Sequence, residues 1–265
     1  MIDQPMTWGW LFLLGIFTGA VAGVLGIGGG LLIVPALTFF LRVNLVQATA
    51  TSLVGVLLSA ISGSGQNWRK GKLDWRASLG LALFGMPTAQ LGAWLGDRLP
   101  EAWLAFSFAT LMLIIIYLMD LKQKLKQRNK HVGLSEDAVG SRDLAPVAKI
   151  GLLTGVLSGL FGVGGGAVMV PLQMLMLGEA IKAAVRTSLG AIVLIAASGL
   201  IQHAWNGNVL YIPGLALGFG GMVGAQFGTR LLPHLPDRLV NLLFRLLLIV
   251  LSIYMTWRGV QAWNR

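Results

Sequence analysis

The chain has 265 residues, of which 55% are hydrophobic and 11% are charged, and its formal net charge is +10. A soluble domain carries about 25% charged residues, so this composition is typical of a membrane protein. The lack of cysteine excludes disulfides and thiolate chemistry, and His131, His203 and His234 are too scattered for a metal-binding pattern. The positive residues cluster beside apolar runs, as in cytoplasmic loops of membrane proteins, which argues against a nucleic-acid partner.

Ten apolar runs follow one another along the chain, in two sets of five. A helix that crosses the hydrocarbon core of a bilayer needs about 20 mostly apolar residues. The first set covers Trp8–Leu25, Leu31–Leu41, Val46–Gly63, Trp75–Leu95 and Ala102–Met119. The second set covers Val147–Phe161, Ala167–Leu177, Ala183–Ile201, Tyr211–Leu232 and Leu239–Trp257. These runs predict an all-α polytopic membrane protein in a lipid bilayer, and no residue pattern indicates a cofactor.

The segment between the two sets is poor in apolar residues and rich in lysine. It contains Lys122, Lys124, Lys126, Arg128 and Lys130. Because basic loops of membrane proteins stay on the cytoplasmic side, we expect residues 121–146 to form a cytoplasmic linker between a first transmembrane repeat, 1–120, and a second, 147–265. A regulatory or lipid-binding patch is the alternative interpretation of the same charges.

The two sets are copies of one another. A shift of 136 residues (164 − 28) places the glycine motif of the first set on that of the second set, without a gap. The same shift aligns Pro35 with Pro171, and Ser52 with Ser188. Such an internal duplication is common in secondary transporters, whose substrate site lies near the middle of the membrane where the repeats meet.

The charges of equivalent loops predict how the copies are oriented. The loop Arg69–Lys72 of the first copy is basic, whereas its counterpart Asn206–Asn208 has no lysine or arginine. If basic loops are cytoplasmic, the copies are inverted and each crosses the membrane an odd number of times. This favours, in each copy, a glycine-broken or re-entrant helix pair followed by three spanning helices. The competing count has four spans in each half and parallel halves.

A glycine cluster interrupts the first apolar stretch of each copy at mid-membrane depth. Backbone that leaves the helix at this depth survives only inside protein or beside a wet cavity. The helix that restarts there directs free N–H groups and the positive end of its dipole into the gap, which can bind an anion without a charged side chain. The predicted binding residues are Gly28, Gly29, Gly30, Gly164, Gly165 and Gly166. Close helix packing is the alternative, and we favour it for Gly15, Gly19 and Gly23.

Polar residues on neighbouring helices complete the predicted site. A rise of 1.5 Å per residue, counted from the helix ends, gives the depth of each polar residue in the membrane. The residues of the first copy share one depth and the equivalent residues of the second copy share another, so that the two sets flank the centre. These residues are Thr51, Ser52, Gln90, Thr187, Ser188 and Gln226. Arg186 stands where the first copy has Ala50, which makes the second half more electropositive. The alternative role for the hydroxyls and amides is hydrogen bonding within or between helices. The alternative for Arg186 is that its side chain extends to the lipid headgroups.

The acidic residues lie at the ends of the apolar runs and not inside them. A proton-carrying carboxylate within a span is therefore not predicted. The hydroxyl residues have no histidine and carboxylate at a matching depth, so no catalytic triad is indicated. We expect a carrier and not an enzyme.

Two glycine motifs, each followed by a proline and an Ala-x-x-Thr-Ser segment (Ala48–Ser52 and Ala184–Ser188), resemble those of the sulfite exporter TauE/SafE family of membrane permeases. The resemblance covers both halves of the chain. It implies transport, chiefly export, of sulfite, sulfoacetate or related organosulfonates across the bacterial inner membrane. The alternatives are a permease for another small anion, such as a carboxylate, and a membrane assembly protein without transport. The sequence leaves the substrate, the direction, the coupling ion and homo-oligomer formation open.

Overall fold

The computed structural model describes residues 5–26, 28–132 and 144–264, and in that part of the chain the secondary structure is helical. The helices of the first half are α1 (Pro5–Leu25), α2 (Gly30–Phe40), α3 (Leu45–Arg69), α4 (Trp75–Gly96) and α5 (Glu101–Val132). Those of the second half are α6 (Leu144–Phe161), α7 (Gly166–Met176), α8 (Ile181–Trp205), α9 (Tyr211–Leu231) and α10 (Asp237–Trp263). A short 3-10 turn, Leu232–His234, joins α9 to α10. The all-α prediction is confirmed.

The helix boundaries repeat between the halves because the same local signals recur. The helices α2 and α7 each begin directly after a glycine, and each contains a proline. In the first half, the side chain of Asn44 caps α3 by accepting a hydrogen bond from the Gln47 N–H, 2.8 Å away. Asp74 caps α4 in the same way, through the N–H groups of Arg76 and Ala77. Such caps satisfy N–H groups that the first helical turn leaves without an intrahelical partner.

Five of the described helices are long and apolar enough to cross a membrane, judged by length and composition. They are α1, α3, α6, α8 and α10. The helices α4 and α9 have 22 and 21 residues, which is also long enough to span. The predicted linker begins within α5, which continues to Val132, and residues 133–143 lie outside the described residues.

The contacts between helices show that the two halves run in opposite directions. Along α3 and α9 the contacts advance together, from Thr51 with Leu210 to Ser62 with Met222, so these helices are parallel. The same holds for α8 and α4, from Thr187 with Ser78 to Ser198 with Met86. Since α8 and α9 are consecutive antiparallel helices, α3 and its repeat mate α8 are antiparallel. The halves are therefore inverted.

The first helix of each half packs against the fourth helix of the other half. Gly19 on α1 faces Gly221 on α9 so closely that a Cβ on Gly19 would overlap the carbonyl oxygen of Gly221. Gly155 on α6 faces Gly85 on α4 in the same way. Glycine at these positions lets the helix backbones touch, as it does in other tightly packed membrane helices. The two halves are thus interlocked.

The same packing defines the path of the chain through the glycine clusters. The helix α1 is parallel to α9, because a Cβ on Gly15 would meet Leu217 and a Cβ on Gly23 would meet Ala225. Since α9 is parallel to α3, the helices α1 and α3 run in the same direction and α2 returns between them. The pair α1–α2 is therefore a re-entrant hairpin. The alternative with four spans and parallel halves is wrong, because it requires α1 and α3 to run in opposite directions.

The helix ends form two opposite faces of the molecule. We call one the Asp97 end, where Asp97 after α4 bonds to Asn206 and Asn208 after α8, and where Arg258 of α10 bonds to Glu101. We call the other the Lys70 end, which holds the loop after α3 and the loops before α8 and α10. There Lys182 bonds to the carbonyl oxygen of Pro233. The centre between these ends is formed by α3 and α8, which have the largest buried share of the apolar helices.

Candidate anion site at the two glycine turns

Each glycine cluster forms a tight turn with the same backbone conformation. Gly29, which immediately precedes α2, has a φ of 84°, and Gly165, which precedes α7, has a φ of 78°. This left-handed region is accessible to glycine at no steric cost, whereas other L-residues are strained there. The carbonyl oxygen of Gly29 accepts the N–H of Leu32 and of Ile33, which starts α2 without a side-chain cap. The turn thus reverses the chain and leaves the first N–H groups of the new helix pointing back toward the turn.

The two turns contact each other at the centre of the molecule. A Cβ on Gly30, the first residue of α2, would overlap the carbonyl oxygen of Gly162 in the other turn. Gly28 and Gly164 both face the side chains of Val56 and Ile192. These two aliphatic residues are equivalent positions of α3 and α8, and both are 0% exposed. Helices α2 and α7 therefore both begin beside the buried side chains of Val56 and Ile192, and these two side chains close the centre of the molecule.

A serine from each half holds the turn of the other half. The Ser52 hydroxyl donates to the carbonyl oxygen of Gly162, 2.8 Å away, and the Ser188 hydroxyl donates to the carbonyl oxygen of Gly26, 2.9 Å away. Both serines are fully buried. Because the glycine carbonyl ends a helix, it has no helical partner, and the serine supplies one. Ser52 and Ser188 thus lie beside the glycine turns, and each serine bonds to the turn of the other half.

The two predicted threonines lie beside these serines and take part in contacts between helices. Thr51 is fully buried, and its Oγ1 accepts the N–H of Leu210, 3.1 Å away. Thr187 is 4% exposed, and its carbonyl oxygen accepts the hydroxyl of Ser78, 2.9 Å away. The threonines thus tie α3 to the start of α9, and α8 to the start of α4. Ser78 has no serine mate, because its equivalent position is Gly214.

The remaining predicted side chains lie farther from the turns. Gln90 and Gln226 are exposed on the outer surfaces of α4 and α9. Gln226 lines a groove there with Phe12, Phe227 and Arg230, which is outside the centre. Arg186 is half-buried on α8, one residue before Thr187. The structure therefore brings together the glycines, serines and threonines but not the glutamines.

Two buried polar residues near the second turn were missed by the sequence analysis. Ser158 on α6 and Gln173 on α7 are both 0% exposed, and the Ser158 hydroxyl and both amide atoms of Gln173 have no hydrogen-bond partner among the described residues. Buried polar groups are nearly always paired, so such exceptions require an explanation. In the first half the equivalent positions are Ala22 and Leu37. Comparing the copies for apolar-to-polar differences is the sequence signal that would have found them.

Ser158 lies close to the second turn by analogy with its repeat mate. In the first half, the Ala22 Cβ is 3.5 Å from the place that a Cβ on Gly29 would occupy. The equivalent residues of the second half are Ser158 and Gly165. The carbonyl oxygen of Ser158 also accepts the N–H of Gly162, at 2.9 Å. The second turn is therefore bonded to a serine where the equivalent residue before the first turn is an alanine. The two turns share a backbone shape but differ in polarity.

The model of the family described as sulfite exporter TauE/SafE matches residues 11–255. The chain belongs to this family. The matched range contains both glycine turns and the helices that pack against them, so the family assignment covers the whole candidate site.

Curated TauE/SafE-like relatives match along most of their length. The chain is 28% identical to the probable membrane transporter protein YunE of Bacillus subtilis, over 94% of this chain and 97% of that protein. It is 29% identical to a probable membrane transporter protein of Xylella fastidiosa strain Temecula1, over 92% and 93%. It is 28% identical to the probable membrane transporter protein MJ0441 of Methanocaldococcus jannaschii, over 73% and 71%. No solved structure gave a significant match. The chain is a multi-pass membrane transporter.

Proposed function

We propose that this TauE/SafE transporter is a secondary carrier of small sulfur-containing anions, such as sulfite, sulfoacetate and other organosulfonates, and that it exports them. The observation that carries the proposal is the contact of two equivalent glycine turns between Val56 and Ile192, with a helix beginning at each turn. The family description supports sulfite or a chemically related anion as the substrate. The turns, Thr51, Ser52, Thr187 and Ser188 form the proposed site.

The electrostatics at the turns favour an anion. The N-terminus of a helix carries about half a positive charge and N–H groups without helical partners, so α2 and α7 each offer a backbone anion site. The acidic side chains that the structure describes, Asp74, Asp97, Glu101 and Glu179, lie at helix ends and not at the centre. In a low-dielectric centre without a competing negative charge, two such helix ends attract a small tetrahedral or pyramidal oxyanion. Arg186 on α8 adds positive potential on the side of the second half.

The inverted halves provide a mechanism for alternating access. In carriers built from inverted repeats, the site is fixed at the repeat interface and one half rocks against the other to change the exposed face. Here Val56 and Ile192 close the centre, so movement of α3 relative to α8 opens it. An inside-negative potential drives a monovalent anion outward by about 2.3 kcal/mol per 100 mV.

We further propose that the Lys70 end faces the cytoplasm of a cell whose inner membrane holds the protein. The described lysines and arginines at that end include Arg69, Lys70, Lys72, Lys182, Arg230 and Arg238. At the Asp97 end the described ones are Arg42, Arg98 and Arg258. By the positive-inside rule, the more basic end is cytoplasmic. Residues 121–146 then join the repeats 1–120 and 147–265 on the cytoplasmic side.

Flux into proteoliposomes of the purified protein tests the transport proposal. Sulfite, sulfoacetate, taurine, sulfate and a dicarboxylate are offered in parallel, with the membrane potential clamped at two values. We expect saturable flux of sulfite or a sulfonate that changes with the potential and is inhibited more by other sulfonates than by carboxylates. Preferential carboxylate flux would contradict the substrate class, and folded protein without flux of any anion would contradict the carrier.

Gly29→Ala separates an anion site from a packing device. The new Cβ would have its nearest neighbours at 3.4 Å or more, so the protein has room for it, although the positive φ strains the turn. We expect the variant to fold and to lose at least about tenfold in flux, because a methyl group then shields the N–H groups. Gly65→Ala is the matched control, since that glycine has nothing within 4 Å of the new Cβ. Normal flux in folded Gly29→Ala would favour a packing role for the turn.

Single-cysteine labelling tests the proposed orientation in the cysteine-free chain. Arg69 and Trp205 are equivalent, exposed positions at the ends of α3 and α8. We expect a membrane-impermeant maleimide added to intact cells to label Trp205→Cys, and to label Arg69→Cys only after the cells are lysed. The opposite pattern would reverse the proposed orientation.

A further inference from the structure

A buried histidine faces a carboxylate at the Asp97 end of α8. The His203 side chain is 0% exposed, and its Nδ1 lies 3.7 Å from Oδ1 of Asp97. Its Nε2 lies 2.9 Å from the carbonyl oxygen of Gly159 on α6. Asp97 also accepts hydrogen bonds from the side-chain amides of Asn206 and Asn208. Helices α4, α6 and α8 therefore meet at this imidazole.

The hydrogen-bonding partners determine which imidazole nitrogen carries hydrogen. A carbonyl oxygen only accepts, so the Nε2 that faces Gly159 is a donor. In a neutral imidazole the other nitrogen, Nδ1, is then an acceptor, and it faces the Asp97 carboxylate, which is also an acceptor. Nδ1 has no hydrogen-bond partner among the described residues. A proton on Nδ1 would convert this pair of facing acceptors into an imidazolium donating to a carboxylate.

The other charged groups around His203 leave Asp97 as its ionic partner. Among the described residues, Asp97 is the one carboxylate within 4 Å of a His203 ring nitrogen. Arg98 follows it in sequence, but its guanidinium stacks on the ring of Trp94, 3.9 Å from the ring centroid. The nearby ends of α3, α6 and α9 carry no acidic or basic side chain, and Tyr211 at the start of α9 is exposed.

Among the described residues, this pair of one residue from each half occurs at the Asp97 end alone. The position equivalent to His203 is Asn67, and the position equivalent to Asp97 is Pro233. Asn67 is also buried, at 3% exposure. Each end of the molecule therefore encloses a polar side chain at this equivalent position, but only the histidine can bind a proton. An imidazole gains and loses a proton near neutral pH, which an asparagine amide does not.

We propose that His203 and Asp97 form a proton-binding site that strengthens anion binding at the second glycine turn. This inference rests on the proposed function. The proton comes from solvent at the Asp97 end, where Asp97 is partly exposed, and it adds to the lone pair of Nδ1. No bond other than the new N–H is formed, and the imidazole becomes an imidazolium paired with the carboxylate. The proton returns to solvent when the anion leaves.

The coupling acts through α6. The Gly159 carbonyl that His203 holds lies in the last turn of α6, next to Ser158, whose own carbonyl accepts the N–H of Gly162 in the second glycine turn. A positive charge on His203 therefore lies at the end of the helix that leads into the proposed anion site. Opposite charges that bind near one another strengthen each other's binding, and this linkage is reciprocal.

Histidine nitrogen NMR spectra test the proton site without any ligand. In a variant with His131→Gln and His234→Gln, labelled at its one histidine and placed in lipid nanodiscs, the spectra are recorded between about pH 5 and pH 8. We expect Nε2 to be protonated throughout and Nδ1 to gain a proton as the pH falls, and we expect Asp97→Asn to move this transition to lower pH. A neutral His203 over the whole range would overturn the proposal.

Anion affinity tests the coupling to the proposed function. Methanesulfonate is a suitable probe because its charge does not change over this pH range. We expect it to bind at least about fivefold tighter at the acidic limit than at the alkaline limit in the unmodified protein. His203→Asn, which introduces the residue found in the first copy, should bind with the same affinity at both limits. His234→Asn, at an exposed position of the other end, is the control and should keep the pH dependence.

The outcomes separate the two proposals. Equal pH dependence in His203→Asn and the unmodified protein would overturn the proton site and leave the carrier intact. A titrating His203 in a protein that binds and transports none of the offered anions would contradict the proposed function and the coupling, while the proton site itself would stand. Thermal unfolding in detergent shows whether His203→Asn folds, and if it does not, Asp97→Asn replaces it in the affinity measurement.

Discussion

The centre of this transporter and its two ends differ in how closely the halves match. At the centre, Ser52 and Ser188 make the same hydrogen bond to the opposite glycine turn, with lengths of 2.8 and 2.9 Å. At the ends, the equivalent residues Asn67 and His203 have different chemistry, and only His203 faces a carboxylate. A site that must serve both faces of a membrane gains from symmetry, whereas a signal that comes from one side requires a difference. The paired serines provide the symmetry, and the exchange of asparagine for histidine between equivalent positions provides the difference.

The glycine turns show the same contrast on a smaller scale. Gly29 and Gly165 have nearly the same φ, and each begins a helix of 11 residues. Around them, however, the first turn has Ala22 where the second has Ser158, a buried hydroxyl without a partner among the described residues. The backbone of the site is thus duplicated more faithfully than its side chains. Three predictions test this comparison.

The largest effect is expected where the two turns touch. In Gly30→Ala the new Cβ would overlap the backbone oxygen of Gly162, which cannot move aside as a flexible side chain can. We expect a loss of about 3 kcal/mol or more in the free energy of unfolding, or no folded protein, measured by thermal unfolding in detergent. Gly65→Ala on α3 should instead gain about 0.5–1 kcal/mol. A stable Gly30→Ala protein would show that the turns do not pack as described.

A smaller difference should separate the two equivalent glycines that precede α2 and α7. A Cβ on Gly165 would lie 2.9 Å from the carbonyl oxygen of Thr154, whereas a Cβ on Gly29 would lie 3.4 Å from that of Thr18. Both alanine variants carry the strain of a positive φ, about 1–2 kcal/mol. We therefore expect Gly165→Ala to unfold at a lower temperature than Gly29→Ala. Equal melting temperatures would mean that the second turn relaxes as easily as the first.

The smallest effect tests the symmetry of the centre directly. Ser52→Ala and Ser188→Ala each remove the hydroxyl that pairs with a buried glycine carbonyl, so we expect each to lose about 1–2 kcal/mol of stability. Because the two bonds are equivalent, the two losses should agree. Ser107→Ala, at an exposed position of α5 where the hydroxyl bonds to its own helix, should change stability little. Clearly unequal losses would reveal an asymmetric centre.

Much of the architecture followed from patterns along the chain. The apolar runs and the constant 136-residue register (164 − 28) predicted helices in two copies, and the loop charges at Arg69–Lys72 predicted inversion. The glycine clusters were located for a local reason, because consecutive glycines after an apolar helix end it wherever it lies. These features depend on neighbours in sequence, which a single chain displays.

The side chains of the site were only partly predictable. Depth along the membrane normal follows from the residue count, and it placed Thr51, Ser52 and Gln90 at one level. The direction around the helix axis depends on which helix packs alongside, and it left Gln90 exposed beside the buried Ala89. A polar residue at the right depth therefore need not face the centre.

The sequence by itself determined that this protein is a duplicated, all-helical membrane transporter of the TauE/SafE family with two glycine turns, because composition, periodicity and motif spacing are properties of the chain alone. Only the tertiary structure decided that each turn is held by the serine of the other half and that His203 meets Asp97. Those partners are more than 100 residues apart, as in the bond from Ser52 to Gly162 with its separation of 110. Long-range pairs are selected by the packing of whole helices, which no local pattern encodes.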